Sequence, residues 1–306
     1  MVISSRKFIS LTLGLLLCAG LTACAGSSSS PLPAASTATP SPLPPTPTAT
    51  PIPLALTVNG EGVPLAEFAD EVARYQAEQA ALGYVVSHQE AAQAVCAELS
   101  DELLLAQGAT QGGFQVDDAM LETRLEALAN QIGGKDALLA WQSAHGYSQD
   151  EFRAALRRQI AAAWMRDQIA SLVPRATEQV HVQQILLTSE AEAQAVLQRL
   201  DGGVPFAEIA REYDPLTGGE LGWFPRGYLP EKAIEEAAFA LQPGQYSRVV
   251  PSRVGFHILY LVERDPARPL STDALLALQI NAIQNWLQQR REHSAILCTP
   301  DIMEKH

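Results

Sequence analysis

The hydrophobic period changes twice along this 306-residue chain, and the change limits the folds open to it. Phe152, Leu156, Ile160 and Trp164 recur every four residues, which places them on one stripe of a helix over 149–172, and Pro174 ends it. Near Gln179 the pattern switches. Val180-His-Val-Gln-Gln-Ile-Leu-Leu187 combines alternation with β-branched residues, as do Val249-Val250 and Ile258-Leu-Tyr-Leu-Val262, and these segments read as strands. Beyond Pro269, Leu276, Ile280, Ile283 and Leu287 return in steps of four and three, the mark of an amphipathic helix in need of an apolar partner. The pattern therefore predicts an α+β fold in which a small strand-containing domain with surrounding helices is inserted between parts of an all-helical module.

Finer signals set the boundaries. Ala55-Leu-Thr-Val-Asn-Gly60 reads as a short strand entering a turn, and Ser87-His-Gln-Glu90 and Ser148-Gln-Asp-Glu151 each have the spacing of a capping box. With shorter helices over 117–131 and 135–145, split at Gly133-Gly134, the first region holds roughly five helices. In the strand region Ser189 caps a helix to about Leu200, Pro205 opens a short one, Pro230 opens another to Leu241, and Pro266 and Pro269 close the domain. The expected division is helical over 54–176, strand-containing over 177–265, and a helix within 269–306 that returns to the first module.

Residues 1–23 read as an address, because Arg6 and Lys7 precede a short apolar run through Leu11, Leu13, Leu15 and Leu17 that is too short to span a bilayer comfortably. The run ends at Leu21-Thr22-Ala23-Cys24, which resembles the lipobox of bacterial lipoproteins and implies lipid on Cys24; an ordinary secretory signal with an incidental cysteine is the alternative. Residues 25–53 hold four consecutive serines and nine of the chain's twenty prolines, with no charge and no aromatic ring. Such a segment cannot bury a core, so 24–53 is expected to be a disordered stalk reaching on the order of 90 Å.

Loss of residues 1–23 leaves 19 Lys and Arg against 34 acidic residues, a net charge of −15. That balance argues against nucleic acid as a partner and against close contact with anionic lipid, leaving the lipid anchor as the membrane attachment. Cys96 and Cys298 remain for the folded part, either bridged or as two separate buried thiols. No metal-ligand spacing is visible.

Five segments in order resemble a parvulin domain: Gln184-Ile-Leu-Leu187, Pro205-Phe-Ala-Glu-Ile-Ala-Arg-Glu-Tyr213, Gly218-Gly-Glu-Leu-Gly-Trp-Phe224, Phe239-Ala-Leu-Gln-Pro-Gly244 and Gly255-Phe-His-Ile-Leu259. The layout around them is similar to that of PrsA- and SurA-type extracytoplasmic foldases. The resemblance implies peptidyl-prolyl cis-trans isomerase activity on unfolded or partly folded secreted polypeptides containing Xaa-Pro bonds, without a cofactor. A non-catalytic chaperone or binding lipoprotein that retains a degenerate parvulin domain is the alternative.

Rotation about an Xaa-Pro bond must overcome a barrier of about 18–20 kcal/mol set by amide resonance. A catalyst needs an apolar pocket for the ring, exclusion of water from the carbonyl, and a few fixed hydrogen bonds that favour the twisted amide. The family pairs two histidines on the floor of its site. Here the resemblance places His257 at the last-strand position but Gln184 at the first, and a glutamine can orient an imidazole without sharing a proton. It assigns the acidic or thiol position to Asp214, in a shortened loop where a simple turn role is the competing reading. Leu229, Ile234 and Phe239 fall at the proline-pocket positions, one aromatic ring fewer than in many relatives.

Overall fold

The computed structural model describes residues 52–299; the leader, Cys24 and the stalk before Ile52 lie outside the described residues. Strand β1 (Leu54–Val58) turns into β2 (Glu61–Pro64) through Asn59 and Gly60, at φ of 53° and 87°. These are the left-handed angles a two-residue hairpin loop demands, and Asn and Gly are the residues that adopt them most readily. Helices α1 (Leu65–Ala81), α2 (His88–Gln111), α3 (Asp118–Ile132), α4 (Lys135–Ala144) and α5 (Gln149–Ser171) follow. Both capping boxes form: the side chains of Ser87 and Ser148 accept from the third helical N–H, while Glu90 and Glu151 reach back to the cap N–H.

The strand-containing region runs β3 (Ala176–Leu187), α6 (Glu190–Asp201), α7 (Phe206–Tyr213), β4 (Glu220–Pro225), α8 (Lys232–Ala240), β5 (Val250–Ser252) and β6 (Gly255–Pro269). Its sheet has the order β4-β3-β6-β5 with every neighbour antiparallel. Side-chain alternation along β3 and β6 gives the sheet two faces. Ile185, Leu187 and Ile258 pack with Leu197, Phe206 and Ile209 of α6 and α7, while Val180, Val182, Leu259 and Leu261 pack with Ile234, Ala238 and Phe239 of α8.

Pro266 does not close this domain as expected, since β6 continues through it to Pro269. The register shifts between Thr177 and Gln179, opposite the segment from Asp265 to Arg268, so the missing N–H of Pro266 falls at a bulge. Beyond the bulge Ala176 still pairs with Pro269, and buried Gln179 donates to the carbonyls of Arg268 (2.8 Å) and Pro269 (3.1 Å). The insertion thus enters and leaves the helical module as one two-stranded ribbon.

Helix α9 (Thr272–Glu292) returns to the module, and the chain then adds β7 (Ile296–Cys298) to the free edge of β1. The module is therefore not all-helical but carries a three-stranded sheet, order β2-β1-β7. Its core joins Leu56 and Val58 of β1, Phe68 and Val72 of α1, and Leu99, Leu103 and Ile169, with Ile283, Trp286 and Leu287 of α9 packed on it. Only the second half of the expected α9 stripe is covered: Leu276 and Ile280 remain 55% and 44% exposed, while from mid-helix Asn281 reaches the Gly227 carbonyl of the strand-containing domain. Cys96 of α2 and Cys298 of β7 are joined by a disulfide, with Cα atoms 6.4 Å apart. Among the described residues, no helix is long and apolar enough to cross a membrane.

Candidate active site

Because β3 and β6 are antiparallel with Gln184 opposite Leu259 and Leu186 opposite His257, Gln184 and His257 are diagonal neighbours on one sheet face. His257 Nδ1 lies 2.9 Å from Gln184 Oε1, and Nε2 lies 2.7 Å from Ser252 Oγ. An amide oxygen only accepts, so in this arrangement Nδ1 carries the proton and Nε2 accepts from the serine hydroxyl. The serine oxygen also accepts the N–H of Val254 at 3.1 Å, which fixes it within the β5–β6 turn. Burial pushes the imidazole below its usual pKa, with Glu231 pulling weakly the other way, so the ring is neutral at pH 7 and suited to one donated and one accepted bond. Ser252 escaped the sequence reading; the Ser252-Arg-Val-Gly255 turn directly before the last strand was the available signal.

The same face carries Leu229, Ile234 and Phe239. Phe239 is 4% and Ile234 7% exposed, Leu229 is half-buried, and all three belong to the cluster that covers Val182 and Leu259. The Arg226 guanidinium lies 4.1 Å from the Phe239 ring centroid, and Phe224 meets the same ring edge-on at 6.2 Å. Arg226 was also missed, since a lone arginine before Gly227 carries no pattern of its own.

Asp214 caps α7 and is engaged with its own loop. Its carboxylate accepts from the Thr217 hydroxyl and from the N–H groups of Leu216 (3.2 Å), Thr217 (3.1 Å) and Gly219 (3.3 Å). These bonds, the Thr217 hydroxyl foremost, hold the carboxyl below its ordinary pKa. Its link to the floor of the site is through backbone: Gly219, which Asp214 holds by the N–H, accepts the N–H of Gln184 at 2.7 Å.

Gly219 has φ of +75°, and a Cβ there would press into the Gln184 carbonyl oxygen. Gly218, at φ +64°, has only the Arg211 side chain nearby, 3.7 Å from such a Cβ. Gly219→Ala is therefore expected to cost about 3 kcal/mol, a strained φ plus displaced backbone, against about 1 kcal/mol for Gly218→Ala. Urea midpoints of the two variants decide this; equal losses would show that the close approach to Gln184 is not the constraint.

Among the described residues, no group of three or more His, Cys, Asp or Glu is arranged to hold a metal ion. What the site offers is a polar chain of Gln184, His257 and Ser252 beside an apolar cluster, an arrangement for holding and desolvating a planar group.

Residues 175–263 match the family model of the rotamase PPIC-type PPIase domain. The foldase protein PrsA of Geobacillus sp. is 28% identical over 171 residues, 52% of this chain and 60% of that protein. The chaperone SurA of Methylobacillus flagellatus is 30% identical over 203 residues, 54% of this chain and 46% of that protein. A solved PpiC-type peptidyl-prolyl cis-trans isomerase domain is 30% identical, covering 31% of this chain and 98% of its own, with a TM-score of 0.28. The match thus spans about half the length of these curated relatives.

Proposed function

The chain carries a PPIC-type parvulin PPIase domain over residues 175–263 and is homologous to PrsA foldase and SurA chaperone, and from that premise we propose that it catalyses cis-trans isomerisation of Xaa-Pro bonds in unfolded secreted polypeptides. One observation carries the reading: His257, held between Gln184 and Ser252, shares a sheet face with the apolar trio of Leu229, Ile234 and Phe239. A proline ring seated on that trio places its amide beside the Gln184–His257–Ser252 chain, where the carbonyl loses water and the twisted amide gains fixed polar neighbours. Asp214 supports the floor through Gly219. The helical parts, 54–176 and 269–306, hold the client near the site, and lipid on Cys24 with the stalk over 24–53 tethers the protein to a membrane outside the cytoplasm.

The departures from the family pattern favour a second reading, a chaperone with feeble or no catalysis. Gln184 stands where the family has a histidine, and Ile234 replaces a ring. Exchange spectroscopy on an Ala-Pro peptide separates the two. The isomerase reading expects micromolar protein to speed exchange at least about tenfold over the unaided tens to hundreds of seconds. No acceleration, with an unfolded polypeptide still bound, would establish the chaperone reading instead.

A further inference from the structure

The proline-pocket side of the site hangs on a single carboxylate. Glu235 of α8 accepts three consecutive backbone N–H groups from the loop after β4: Gly227 at 2.8 Å on Oε1, and Tyr228 and Leu229 at 3.1 and 3.2 Å on Oε2. The same loop carries pocket residues, since Arg226, just before the donors, lies over the Phe239 ring and Leu229, the third donor, belongs to the apolar trio. Three hydrogen bonds to one charged acceptor fix a loop far more tightly than neutral bonds do, and α8 itself is anchored by buried Ile234, Ala238 and Phe239. The carboxylate thereby sets the position of Leu229 relative to Ile234 and Phe239.

The same loop is gripped from outside the strand-containing domain. Asn281 of α9 donates to the Gly227 carbonyl at 2.6 Å, and a Cβ on Gly227 would lie 3.2 Å from the Leu278 side chain. Gly227 has φ of +83°, so it suits both the turn and the close approach of α9. One peptide unit thus meets the α8 carboxylate on its N–H side and the returning helix on its carbonyl side. The other end of α9 packs Ile283, Trp286 and Leu287 into the core of the helical module.

Resting on the isomerase reading above, we infer that Glu235 is a positioning residue for the proline pocket and that Asn281 couples its loop to the helical module. A displacement of α9, as when a client loads the module, moves Gly227 and with it Leu229 and Arg226. The coupling acts on how well the ring is held, with the Gln184–His257–Ser252 chain left in place.

The test uses the full chain with Asn281→Ala, Glu235→Gln and Glu235→Asp. Removing one donor at the loop is expected to raise KM about threefold in Asn281→Ala, and replacing the acceptor to raise it about tenfold in Glu235→Gln, both with kcat within about twofold; Glu235→Asp, which keeps the charge, recovers part of the loss. Backbone amide signals of Gly227, Tyr228 and Leu229 shift in Asn281→Ala while those of Ser252 and His257 stay. An active wild type with unchanged KM in Asn281→Ala, or a fall in kcat at constant KM, overturns the inference. If the wild type shows no isomerase activity, the functional reading fails separately, and the junction is then judged by the amide signals: immobility of Gly227–Leu229 in Asn281→Ala overturns it. Asn281→Ala decides the outcome even if the Glu235 variants do not fold.

Discussion

Replacing His257 with alanine is expected to lower kcat/KM for an Xaa-Pro peptide by on the order of 100-fold, the scale at which loss of a preorganised polar group or of its alignment is felt. The ring is 3% exposed and hydrogen-bonded at both nitrogens, so its removal leaves the Gln184 amide oxygen without its imidazole donor and the Ser252 hydroxyl with the Gly255 carbonyl (3.3 Å), and opens the floor to water. Gln184→His is expected to act in the opposite direction, raising kcat a few-fold, because a second imidazole can accept the Nδ1–H bond and also share the proton. Exchange rates on one peptide with wild type and both variants check this. Equal rates in wild type and His257→Ala would remove the ring from the chemistry and leave it a core residue.

A pH effect accompanies the same substitution. Burial holds the His257 pKa below the ordinary histidine value of 6.5 that the unfolded chain retains. Between the folded pKa and 6.5 the unfolded state binds more protons, so stability rises with pH across that window, is complete above 6.5, and is lost as pH falls through the folded pKa. Denaturant midpoints of His257→Ala should fall less steeply than those of wild type between neutral and mildly acidic pH.

How much of this was legible in the sequence depends on the length scale of the signal. Long periodic segments carried enough repeats to be read, so α5 and β3 emerge close to where the pattern put them, and the two capping boxes marked the starts of α2 and α5. Short elements failed for the opposite reason. Strand β7 has three residues, fewer than two turns of any pattern, and it exists because the edge of β1 needs a partner, which no local signal reports. Strand β4 lies largely within Gly218-Gly-Glu-Leu-Gly-Trp-Phe224, where Gly222 weakens the strand signal.

In the site, the resemblance supplied Gln184, His257, Ile234 and Phe239, residues fixed by strand and helix register, and Leu229 in the loop before α8. What it could not supply was contact between distant segments. Glu235 looks like any solvated helix carboxylate until the loop folds back to donate to it, and Asn281 is 54 residues from the carbonyl it binds. Leu276 and Ile280 show the same limit: the period foretold a buried stripe, but in the first half of α9 it is Ala274 that is buried and these two stay exposed.

Breaking the Cys96–Cys298 bridge, by reductant or by Cys298→Ser, is expected to lower the melting temperature by about 10 °C while leaving kcat/KM unchanged well below the melt. The two cysteines are 202 residues apart, and the segment between them includes the whole strand-containing domain and α9. A covalent link across so long a loop removes unfolded-state entropy worth about 4–5 kcal/mol in the chain-entropy picture, and a loss of that size shifts the midpoint of a domain this large by a few degrees per kcal/mol. The native side of the argument agrees. Cys298 sits in a three-residue strand paired with Leu56, Thr57 and Val58 of β1 and flanked by hydrogen bonds to Ala55 and Asn59, so without the bridge a short hydrogen-bonded edge holds the described chain end against the module. The Gln184–His257–Ser252 site contains neither cysteine and its sheet is a separate one, so activity and stability should part company. A melting temperature indifferent to reductant would mean that the thiols are not bridged in the protein as produced. A parallel loss of activity at low temperature would mean that the module and the site unfold as one unit, with the β3–β6 ribbon and the Asn281 contact rigid enough to carry the damage across.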